Sequence, residues 1–166
     1  MYNIKKSEKN DICNMLENEA DQIIHNLWLG NINSAYNYTF LKTNNIRFII
    51  SICDIFDESK KYNNITYLTI PIKDEYCCSN NMDSVFDKCN KFIFNGLINN
   101  TGVLVHCKHG HHRSASVVIA FLTKYLGVDI DRSINYIRYI RPCALQRNTC
   151  LVKNLFRYNS TPNFVD

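Results

Sequence analysis

Between Val103 and Leu126 the chain passes from a short, wholly apolar run (Val103-Leu104-Val105) through a compact polar loop into a segment that is apolar almost all the way round. No other feature narrows the choice of fold as much. The run ending at His106 has the composition of a strand covered on both faces. Ser114 to Leu126, with Val117, Val118, Ile119, Ala120, Phe121 and Leu122, offers water no polar face, so it must be a helix buried in the centre of the molecule. A buried strand that feeds directly into a buried helix needs a layered architecture with the sheet in the middle.

The remaining periodicities agree. Arg47 to Cys53 is a β-branched run of the same buried type, and Thr66 to Ile72 resembles it, with Pro71 at its end where a ladder donor is dispensable. Gln22 to Leu29 reads as one extended segment closing at Gly30, and Asn33 to Lys42 fits a short helix. Met82, Val85, Phe86, Cys89, Phe92 and Ile93 recur at helical spacing until Asn99-Asn100-Thr101-Gly102 stops them. Asp129 can cap a helix whose apolar face is Ile130, Ile134, Ile137 and Ile140, with Pro142 past its end, and Leu151, Val152, Leu155 and Phe156 mark a last helix. The pattern predicts an α/β single domain with a central, mainly parallel sheet flanked by helices on both faces. Its expected extent is 22–158, after an N-terminal extension (1–21) in which Ile12, Met15, Leu16 and Glu19 allow a short helix, and before a C-terminal tail (159–166).

Composition then removes function classes. With 46% hydrophobic and 20% charged residues the chain has the make-up of a globular domain, not a disordered one. It holds no apolar stretch near the ~20 residues of a membrane span, and its first residues are polar, so the expectation is a cytoplasmic protein with no membrane span. The net charge of +4 is not gathered into the basic stripe of a dedicated nucleic-acid binder. The abundance of Asn, Ile and Lys suits the AT-rich genome of a large DNA virus or a protist. Of the 8 cysteines none forms a C-x-x-C pair, so a zinc ribbon is not expected, and most are read as free thiols acting as small buried hydrophobes.

Cys107 is the exception. A tight loop between a buried strand and a buried helix leaves several N–H groups unpaired and converging, backed by the positive end of the helix dipole, which makes a cradle for an anion. Cys107 opens that loop, where the same field favours a thiolate. Arg113 closes it with a planar fork that matches two phosphate oxygens. Ser114, next along, is suited to cap the helix. His106, His109, His111, His112 and Cys107 crowd too closely to wrap an ion, and binding there would consume the nucleophile, so no metal is expected. His106 is read as ordering the loop. Lys108, His109, His111 and His112 are read as solvent-facing positions that either have drifted or recruit a polyanion.

The run His106-Cys107-Lys108-His109-Gly110-His111-His112-Arg113-Ser114 resembles the His-Cys-x5-Arg-Ser signature of the cysteine-dependent protein phosphatases. The compact size is similar to the dual-specificity branch. Asn26 to Asn31, Leu68 to Asp74, and Asn148 with Leu151 and Leu155 look like that branch's first strand and turn, its acid-bearing segment and its last helix. The resemblance implies a phosphocysteine mechanism needing no cofactor: Cys107 as nucleophile, Arg113 and the loop from Lys108 through His109, Gly110, His111 and His112 as the phosphate site, and Ser114 steadying the thiolate. It places the general acid at Asp74, with Glu75 the nearest rival and Asp83 and Asp87 on the following helix. It implies phosphorylated protein substrates, with a phosphoinositide or an RNA 5′ end as the polyanionic alternatives that Lys108 and His111 would suit, and a phospho-binding pseudophosphatase as the non-enzymatic one. Cys53, at the end of the strand expected beside Val103–His106, is placed to act as a redox partner of Cys107.

Overall fold

The computed structural model describes residues 18–73, 81–146 and 149–161. The chain runs β1 (Ala20–Ile24), β2 (Leu27–Gly30), α1 (Ile32–Tyr36), α2 (Tyr38–Thr43), β3 (Ile46–Ile52), a 3-10 turn (Glu58–Lys60), β4 (Thr66–Ile70), α3 (Asp83–Ile98), β5 (Gly102–His106), α4 (Arg113–Lys124), α5 (Ile130–Ile140) and α6 (Thr149–Ser160). One 5-stranded sheet has the order β1-β2-β5-β3-β4. Among the described residues only the β1–β2 pair is antiparallel.

Alternation along the strands sorts the side chains into two cores. Ile50, Ile52, Val103 and Val105 face the larger core, which they share with Phe86, Cys89 and Ile93 of α3, Val117 to Leu122 of α4, and residues of α5 and α6. Ile49 and Leu104 face the smaller one, covered by Ala35 and Leu41 of α1 and α2. Both faces are therefore helix-covered, as the sequence pattern requires. From Arg113 to Thr123 every residue of α4 is buried. It packs on the other long helices and on the sheet, which is why it could dispense with a polar face.

Several expectations need correcting. Gln22–Leu29 is not one strand but a hairpin, because Asn26 adopts a left-handed backbone (φ 62) and turns the chain between Ile24 and Leu27. Asn33–Lys42 is two helices. Asn37 ends α1 by donating its N–H to Ser34 O, and starts α2 by accepting from Phe40 N at 3.0 Å, so one residue caps both. Cys143 and Cys150 each take part in a disulfide, whereas Cys53, Cys89 and Cys107 are free and buried. An argument from redox compartment speaks to thiols in general and not to which sulfurs the fold brings together. The segment expected to run to Ile72 stops as a strand at Ile70, just before Pro71. The short helix expected near Ile12–Leu16, as well as Cys13, Cys77, Cys78 and Asn148, lies outside the described residues. Among the described residues no helix is long and apolar enough to cross a membrane.

The register brings three strands to a common end. Gly30 of β2 and Ser51 of β3 both stand opposite His106 of β5. The segments leaving these strands therefore meet above the same edge of the sheet, where parallel sheets form their sites.

Candidate active site

Cys107 comes directly after β5 and is 2% exposed, at the floor of the loop that ends in α4. Two donors converge on its sulfur: the Gly110 N–H at 3.3 Å and the Ser114 hydroxyl at 3.2 Å. Donors aimed at sulfur suit an anion there, and the loop sits at the N-terminal, positive end of α4. Ser114 does not cap this helix. Its Oγ is committed to Cys107, and the cap position belongs to His112, whose side chain makes no capping bond.

Gly110 gives the loop its curvature. Its φ is +75, and a Cβ there would lie 2.7 Å from Gly30 O and 2.9 Å from Arg141 Nη2. The turn after β2 braces the loop from the same side, with the Ile32 N–H donating to Lys108 O at 3.3 Å.

Arg113 is 4% exposed. Its Nη1 donates to the Ile72 carbonyl at 2.5 Å and stands 3.9 Å from Asp54 Oδ1. The guanidinium thus ties the start of α4 to the chain leaving β4. Asp74 and Glu75, the expected acid and its rival, lie outside the described residues. Asp83 begins α3 in an ion pair with Arg157, and Asp87 accepts from Tyr158 Oη, so both rivals on that helix are engaged elsewhere.

His106 is fully buried, its Nδ1 3.3 Å from Cys107 O and its ring 5.4 Å from Phe56. Burial lowers its pKa from 6.5 to about 4, so it stands neutral beneath the loop. The other loop residues do not all face solvent as expected. Lys108 is exposed and His109 and His112 are half-buried, but His111 is only 4% exposed and stacks on His109 at 5.9 Å. Among the described residues no group of His, Cys, Asp and Glu is arranged to hold a metal ion. Cys53 is 1% exposed beside the same edge, within electrostatic reach of Cys107 and Arg113. Burial, more than the hydrogen bond to Ser51 offsets, raises its pKa.

Residues 27–161 match the family model described as "Dual specificity phosphatase, catalytic domain". The chain belongs to that family. A Dictyostelium discoideum protein named "Probable dual specificity protein phosphatase" is 38% identical over 143 residues, which cover 86% of this chain and 64% of that protein. Human "Dual specificity protein phosphatase 9" is 31% identical over 118 residues, 70% of this chain and 30% of that one. The chain therefore spans less than two thirds of these relatives. Among solved structures the fold is similar to DUSP15, with TM-score 0.78, 27% identity and coverage of 86% of this chain and 88% of that one. It is also similar to the human "tyrosine phosphatase-like serine/threonine/tyrosine-interacting protein", with TM-score 0.76, 28% identity and coverage of 84% and 94%.

Within this dual specificity phosphatase domain, sequence reasoning overlooked the groups that hold the loop from outside. Arg141 is 1% exposed and bonds through Nη1 to Asp21 and to Asn18 O, with its Nη2 reaching Gly110. No local pattern announces it; an Arg before a Pro at a helix end reads as a C-terminal charge. Asp54 was equally silent, though its place directly after a buried strand was a usable signal.

Proposed function

We propose that this chain hydrolyses phosphotyrosine and phosphoserine or phosphothreonine in proteins through a phosphocysteine intermediate. The observation that carries the reading is the convergence of the Gly110 N–H and the Ser114 hydroxyl on Cys107 Sγ, with the Arg113 guanidinium buried at the same loop. A nucleophile held by donors at the positive end of a helix, next to a bidentate cation, suits attack on a phosphate ester. Cys107 Sγ bonds to phosphorus as the ester P–O bond breaks. The loop N–H groups and Arg113 hold the equatorial oxygens. Asp74 gives its proton to the leaving oxygen, then as a carboxylate takes one from the water that attacks phosphorus and breaks the S–P bond. Ser114 Oγ–H stabilises the departing thiolate. His106, neutral and buried, orders the loop from below.

Protein substrates are favoured by the relatives, which are named as protein phosphatases, and by His111, whose burial removes one of the two side chains that would recruit a polyanion. Lys108, exposed on the loop, supports the phosphoinositide or RNA 5′-phosphate alternative. A pseudophosphatase reading has Cys107, Arg113 and Ser114 against it. A panel of an aryl phosphate, phosphotyrosine and phosphothreonine peptides, an inositol phospholipid and 5′-triphosphorylated RNA decides among these. Turnover of both peptides that Cys107→Ser abolishes, and that Asp74→Ala lowers most for poor leaving groups, is the expected result. Turnover confined to lipid or RNA, or binding without turnover, overturns the proposal.

A further inference from the structure

The clamp on the phosphate is itself opposed. Arg113, only 4% exposed, has a carboxylate near it: Asp54 Oδ1 lies 3.9 Å from Nη1, on the second residue after β3. At that separation the pair interacts by charge and not by a hydrogen bond. The directional bond of the same nitrogen goes to the Ile72 carbonyl. Asp54 has a side chain 34% exposed, so it could turn fully into water, yet it stays against the guanidinium.

Resting on the reading of Arg113 as the phosphate clamp, we infer that Asp54 is a positioning carboxylate that weakens the hold of this site on free phosphate. In the empty site its charge keeps the guanidinium oriented beside Ile72 O. Once a phosphate dianion takes the guanidinium, the same carboxylate faces a like charge and raises the free energy of the bound ion. The penalty is not uniform along the reaction. Bound phosphate and bound phosphomonoester present a dianion, whereas a loose, metaphosphate-like transition state spreads less charge over the three equatorial oxygens. A fixed negative charge therefore disfavours the bound ground states more than the transition state. The consequence is faster product release and weaker inhibition by phosphate, with little change in kcat/KM. Asp54 acts here through Arg113 and contacts no reacting atom.

The test compares Asp54→Asn, Asp54→Ala and Asp54→Glu with the parent protein. Calorimetric titration with inorganic phosphate and with tungstate needs no turnover, so it reports on this inference even if the panel above detects none. Asn and Ala are expected to tighten both anions about two- to fivefold, the scale of one partly exposed ion pair. Glu is expected to stay within twofold of the parent. For an aryl phosphate, Ki for phosphate and KM should fall together in the Asn variant while kcat/KM changes less than twofold. Unchanged affinities in both neutral variants overturn the inference. Weaker binding in both would mean that Asp54 merely builds the site, and overturns it too. A kcat loss selective for poor leaving groups with unchanged Ki would make Asp54 the proton donor, and would equally overturn it.

Discussion

Asp21→Ala is the perturbation whose size can be worked most directly from the structure. Asp21 sits on β1 with a side chain 15% exposed, and it pairs with Arg141, which is 1% exposed. The same guanidinium bonds Asn18 O at 3.1 Å and approaches Gly110 from outside the anion loop. Without the carboxylate, a cation remains in a pocket that has already stripped its water. Breaking a buried pair from one side costs about 3–5 kcal/mol, against about 5–15 kcal/mol of total stability for a domain. In a chain of this length each kcal/mol moves Tm by about 2–4 °C, so a fall of about 6–20 °C is expected. Asp21→Asn keeps an acceptor for Arg141 and should lose about half as much. Thermal and urea unfolding measure both, and an unchanged urea slope shows that stability has changed without a change in the surface exposed on unfolding. A fall below about 3 °C for Asp21→Ala would refute the reasoning, because the pair would then behave like an exposed one.

Three further outcomes are expected. His106 has its pKa lowered to about 4 by burial, so between pH 6.5 and 4 the unfolded chain binds a proton that the folded one refuses. Stability should therefore fall on acidification through that window, by up to about 3 kcal/mol, and His106→Asn should flatten the slope; an identical slope would show that other groups carry it. Gly110→Ala places a Cβ 2.7 Å from Gly30 O on a left-handed backbone, so a loss of about 2–4 kcal/mol and of calorimetric phosphate binding is expected, and normal binding would contradict the packing described. Peroxide should oxidise Cys107 to a sulfenic acid that condenses with the Cys53 thiol, releasing water and leaving a disulfide that reductant reopens. Peptide mapping detects that bond, and recovery of activity unaltered in Cys53→Ser would dismiss it.

The site and the centre of the fold were legible for the same reason. Val103 to His106 and Arg113 to Thr123 are buried throughout, and that burial fixes the strand–loop–helix path that brings the Gly110 N–H and the Ser114 hydroxyl onto Cys107. The hairpin was hidden because Ile23, Ile24, Leu27, Trp28 and Leu29 form an apolar cluster in which the backbone of Asn26 decides the outcome alone. The break at Asn37 was hidden because an Asn can cap a helix from either side without disturbing the hydrophobic period. Inward-facing His111 and buried Arg141 were out of reach for a further reason. Arg141 is held by Asp21 and Asn18 and the His111 backbone by Leu145, all distant in sequence, and composition near a residue says nothing about neighbours that only the fold supplies.

Those distant neighbours bear on when the site comes into being. Arg141 reaches across 120 and 123 positions to Asp21 and Asn18, and Arg113 across 41 to Ile72. Contacts of such sequence separation require long loops to be closed first and are slow to form. The signature residues are thus present in a nascent or partly folded chain, but their geometry is not, because β1, β2 and the segment after β4 must dock before the loop is held. Competence to bind phosphate should accordingly be among the last properties acquired during refolding. The chemistry of a reactive thiol would then be withheld until the molecule around it is complete.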